Sequence, residues 1–125
     1  MRRERSFWVW HMGAGAVVLI LLAIHMAVMH LGGPLGWFNP AGGQPVDWGN
    51  VAARARSAFF LITYILLLGT ALLHGLYGLR NILFELSFSA ALQRTMDSLL
   101  LAGGVALFGL GSWAAWASFV AAQGP

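Results

Sequence analysis

SAFFLITYILLLGTALLHGLYGLRNILF, residues 57–84, decides the fold. A helix needs roughly 20 predominantly apolar residues to cross a bilayer. This stretch exceeds that length, and its one charge, Arg80, lies near its end. FWVWHMGAGAVVLILLAIHMAVMHL (residues 7–31) and LLLAGGVALFGLGSWAAWASFVA (residues 99–121) meet the same test. Only 9% of the 125 residues are charged, against about 25% in soluble domains. The chain is therefore expected to be one all-α membrane domain, residues 1–125, with three transmembrane helices and no internal repeat.

The connections differ in kind. GGPLGWFNPAGGQPVDWGN (residues 32–50) is rich in Gly and Pro and predicts a true loop, with Asp47 or Asn50 capping a short helical lead-in to the second span. ELSFSAALQRTMD (residues 85–97) predicts an amphipathic connection lying along the membrane interface.

Charge sets the expected topology. The seven cations are all arginine, and with four acids the formal charge is +3. Arg2, Arg3, Arg5, Arg80 and Arg94 fall on one side of the spans, with Arg54 and Arg56 on the other. The positive-inside bias then predicts a cytoplasmic N-terminus in a multi-pass protein of the inner (cytoplasmic) membrane. Trp8 and Trp10 mark one aromatic belt; Trp37, Trp48, Trp113 and Trp116 mark the other. MRRER before an apolar run also has the form of a signal peptide. No small-x-small cleavage site follows, however, and the segment runs on through His25 and His30. The arginines are too sparse for a nucleic-acid-binding face.

Without cysteine the chain has no disulfide, thiolate metal site or c-type haem attachment. Metal chemistry falls to His11, His25, His30 and His74. On a helix at about 100° per residue, Thr63, Thr70, Gly78, Asn81 and Glu85 share the face of His74 to within about 40°. A polar stripe on an otherwise apolar span faces protein, a cofactor or a wet cavity. Spacing leaves two readings open: a packed, hydrogen-bonded histidine beside small residues, or an axial ligand to haem iron with Gly78 making room.

His74, Gly78, Arg80 and Glu85 form His-x-x-x-Gly-x-Arg followed by an acid, in the second of three spans. This pattern resembles the membrane anchor subunits of succinate:quinone oxidoreductases (succinate dehydrogenase, respiratory complex II) and related fumarate reductases. Gly13, Gly15, His25 and Met26 of the first span extend the likeness. The resemblance implies a small hydrophobic anchor that binds b-type haem, one or two per complex, and helps form a quinone site. It also implies a second anchor subunit, an iron–sulfur subunit and a flavoprotein subunit as partners, the FAD and Fe–S clusters belonging to those soluble partners. Electrons would pass from succinate to quinone in the respiratory chain and tricarboxylic acid cycle, with no catalysis by the anchor alone.

Carried over, the resemblance makes His74 the haem-iron ligand and places Glu85 near the quinone site, about 16 Å further along the helix. Where the family often has a quinone-bonding tyrosine this chain has Leu86, and Met12 stands where the first span often has arginine. His25 and His30 are candidates for a second, outer haem, with Arg54 and Arg56 beside its propionates; Arg80 is a candidate propionate contact for the first. His11 reads as an interfacial residue, leaving no second histidine at the depth of His74. The third span reads as structural packing through Gly103, Gly104, Gly109 and Gly111. The competing functions are a haem-less structural subunit of another respiratory or photosynthetic complex, and a small transporter subunit using the polar stripe.

Overall fold

The computed structural model describes residues 2–31, 42–86 and 89–124, with side chains from Ser6 onward. Four helices follow one another: α1 (Arg2–His30), α2 (Trp48–Ala55), α3 (Ala58–Glu85) and α4 (Ala90–Ala122). The protein is all-α among the described residues. Ser6–His30, α3 and α4 are each long and apolar enough to cross a membrane. Trp37 and most of the first loop lie outside the described residues.

The helix α3 is the middle of a row. α1 packs along one flank and α4 along the other, while α1 and α4 scarcely meet. Such a row has almost no interior. Among the described residues the only buried apolar side chains are Ala14 and Val28, and Phe, Trp, Leu, Ile and Val side chains are exposed along all three long helices. In water this would be unstable. In lipid, burying apolar side chains between helices brings little gain, and association rests on close packing and interhelical hydrogen bonds.

Glycines supply the close packing on the α4 flank. A Cβ on Gly104 would stand 2.6 Å from Leu76 Cδ1, and one on Gly111 would run into Leu68. In the other direction Phe108 lies against Gly69, where a Cβ would be 3.1 Å from its ring. Gly103 and Gly109 face open space. Of the four glycines expected to pack, two do so, one heptad apart.

The last helix, α4, corrects the expected boundaries. Residues 90–97 are not a separate interfacial segment but the first two turns of α4. AALQRTMD contains no Gly or Pro to break the helix, and Ser89 caps it by accepting from Leu92 N at 3.4 Å. At about 1.5 Å per residue the helix is about 50 Å long, well beyond the roughly 30 Å of a hydrocarbon core.

The expected lead-in helix is present as α2, with Asp47 at its N-cap position, yet neither candidate side chain caps it. Asp47 Oδ2 instead accepts from Gln44 N at 2.7 Å. The Asn50 amide, fully buried, donates to the carbonyls of Gly42 and Gln44 at 2.7 and 2.9 Å. Gly42 and Gly43 have positive φ, which carries the chain through this tight turn.

Arg54 and Arg56 work in the same end structure. Arg54 is buried and donates to Pro45 O. Arg56 Nε donates to Ala122 O at 2.9 Å, and Gln123 returns a bond to Arg56 O at 3.0 Å. A guanidinium at the C-terminus of α4 also meets the negative end of the helix dipole. Of the two expected propionate partners at this face, Arg54 thus ties α2 to the turn before it, and Arg56 joins the end of α2 to the end of α4.

Overpacking predicts an asymmetry on α4. Gly104→Val is expected to lower stability by about 1–3 kcal/mol. Gly103→Val, with the same change in helix propensity but open space, should fall well short of that. Thermal unfolding of the detergent-solubilised chain measures the difference.

Candidate functional site

α1 and α3 run antiparallel, which sets the start of α1 beside the end of α3. Phe7 stacks near Tyr77 with ring centroids 6.3 Å apart. One turn on, His11 and His74 lie face to face, with centroids 4.2 Å apart and planes within 4°. His11 therefore belongs to the helix seam, at the level of His74. The expectation that no second histidine reaches this depth is corrected, because the register of α1 against α3 decides depth.

The contact is reciprocal. α1 carries His11-x-x-x-Gly15 and α3 carries His74-x-x-x-Gly78. Each histidine lies over the other helix's glycine: a Cβ on Gly15 would stand 2.9 Å from His74 Cε1 and Nδ1, and one on Gly78 3.6 Å from His11 Cε1. The short repeat was legible in the sequence as two equal His–Gly spacings, far below the length of a structural repeat.

Hydrogen bonding separates the two rings. His74 Nδ1 is 3.2 Å from His11 O. A carbonyl oxygen can only accept, so this contact favours the tautomer with the hydrogen on Nδ1, which in a neutral ring leaves Nε2 its lone pair. Nε2 has no hydrogen-bond partner among the described residues and is not sealed off. His11 Nδ1, by contrast, is buried without a partner. Tyr77 leans on His11 at 5.1 Å, tilted by 46°.

The rest of the expected stripe is less concerted. Thr63 and Thr70 donate to carbonyls of their own helix, Phe59 O and Leu66 O, each at 2.7 Å. Asn81 and Glu85 are exposed at the end of α3. His25 is half-buried further along the α1–α3 seam, in a small gap with Phe60, Thr63 and Tyr64. His30 is the exposed last residue of α1. The described residues bring none of these together with His74, and they contain no group of three metal-ligating side chains.

Arg80 faces the other flank. Its Nε and Nη2 reach Asp97 Oδ1 and Oδ2 at 2.6 and 3.3 Å, and its guanidinium lies 4.1 Å over the Phe84 ring. This pair closes the polar end of a cleft of about 950 Å³ between α3 and α4, lined by Leu72, Leu76, Leu100 and Phe108. Reading α4 as packing alone missed Asp97, since its position was assigned to the connection. The cleft's lining is largely apolar and includes no histidine.

Haem fits this arrangement in part. His74 offers one Nε2 whose opposite nitrogen is held by a backbone carbonyl, the usual outer-shell support of a ligating imidazole. His11, stacked face to face on that ring, is not placed to share a metal ion with it. Comparisons with protein-family models, curated proteins and solved structures give no match.

The Arg80–Asp97 pair is about two-fifths exposed, so its contribution is modest. A double-mutant cycle of Arg80→Ala and Asp97→Ala is expected to give a coupling of about 0.5–1 kcal/mol. Unfolding of the four proteins in detergent measures it, and added salt should reduce it.

Proposed function

We propose that this chain is a membrane anchor subunit of a succinate:quinone oxidoreductase, binding b-type haem through His74. One observation carries the reading: a half-buried imidazole in the middle helix, with Nδ1–H held by a backbone carbonyl and Nε2 left without a partner. The His74–Gly78–Arg80–Glu85 pattern in the second of three apolar helices supports it. A bound haem would supply one-electron storage between donor and quinone. The chain's own part is to hold one ligand nitrogen, exclude water with apolar helices, and present side faces to a second anchor.

In this reading the start of α1, the end of α3 and the start of α4 face the cytoplasm, where the iron–sulfur and flavoprotein subunits dock. Arg80, Asp97 and Tyr77 at the mouth of the apolar cleft support a quinone-side role for that end. Glu85, exposed beyond it, is available to a partner subunit or to a proton path. The opposite end, with α2 and the clasp between Arg56 and Gln123, lies outside the cell. The threonine bonds to their own helix give no support to a polar conduction path.

The test is a reduced-minus-oxidised spectrum of the purified complex, wild type beside His74→Ala. The expected result is a b-type α-band that the substitution removes. A band that is only halved would add an outer haem and direct the same test to His25 and His30. A wild-type complex without haem would leave a structural subunit whose histidine serves only the helix seam.

A further inference from the structure

The seam does more to His74 than a packing contact requires. Three features act on one ring: the His11 carbonyl on Nδ1 at 3.2 Å, the His11 imidazole flat against its face at 4.2 Å, and the Gly15 notch, which a single methyl would fill. The carbonyl selects the tautomer. The stacked ring sets the plane. The notch sets how closely the helices approach. All come from α1, and none depends on a partner chain.

From this we infer that the His11–Gly15 element of α1 is a positioning device for His74, holding it as the Nδ1–H tautomer in a fixed plane with Nε2 presented to a haem iron. The inference rests on the proposed haem reading for the identity of what Nε2 meets. It goes beyond that reading in assigning ligand orientation to α1 of the same chain. His11 is a positioning residue here and not a ligand. Its contribution is the flat face and the main-chain oxygen, since its own Nδ1 is buried without a partner. An aromatic ring lacking that nitrogen should therefore serve as well.

The glycines make the arrangement asymmetric, and this gives the test its contrast. Gly15→Ala puts a methyl 2.9 Å from two atoms of the His74 ring, so the imidazole must move. Gly78→Ala makes an ordinary 3.6 Å contact with His11 and should be tolerated. Both changes raise helix propensity by the same amount, so a difference between them reports the ring and not the helix.

Two measurements separate this inference from the functional reading. In the full chain without haem, ¹⁵N-histidine NMR in detergent should show His74 with Nδ1 protonated. Gly15→Ala should shift it towards the Nε2–H form, and Gly78→Ala should leave it unchanged. In the assembled complex, electron paramagnetic resonance of the oxidised haem reads the ligand plane through the largest g value. His11→Ala should shift that value, and His11→Phe should restore it.

An Nε2–H tautomer in the wild-type chain overturns the inference even if the complex contains haem. So does a Gly15→Ala variant whose tautomer and g value both match wild type. A complex without haem overturns the functional reading, and with it the assignment of Nε2 to iron, whichever tautomer is found.

Discussion

The antiparallel interlock of His11 over Gly78 and His74 over Gly15 is the constraint on which the α1 half of the structure depends. In a bilayer, leucine faces gain little from meeting one another, because lipid tails are as apolar as they are. A register between two helices then needs features that fit in one position only. Two flat rings, each over a position lacking Cβ, provide that.

The α4 half is held differently. Leucines of α3 and a phenylalanine of α4 enter glycine gaps, and one ion pair and one end clasp bracket the contact. Polar bonds sit towards the two ends, where head groups and water keep charge affordable, and glycine packing lies between them. The same division explains the cleft. The apolar space runs alongside the glycine contacts, lined by Leu76, Gly104 and Phe108, with Arg80 and Asp97 at its charged end. His74 and this cleft occupy opposite flanks of one helix. A cofactor on the first and an amphiphile on the second would be neighbours through the thickness of α3, with Tyr77 touching both sides.

A row of three helices with exposed flanks also leaves surface for partners. The broad apolar exposure suits lipid.

Length and hydropathy alone determined the three spans, since a bilayer imposes one requirement on all of them. The short helix before the second span was legible from its Gly-Pro loop and polar start. Its capping was not, because Asp47 and Asn50 found loop partners nearer than the helix N-terminus. The start of α4 was misread because an amphipathic segment and the projecting turns of a long helix share one pattern, and only the continuous backbone separates them. His74 stood out as an imidazole in an apolar helix. That His11 is its partner, that Arg80 pairs with Asp97, and that Gly104 packs while Gly103 does not all depend on helix register. Periodicity assigns a residue to a face of its own helix, but which face meets which, and at what depth, is decided only when the helices pack.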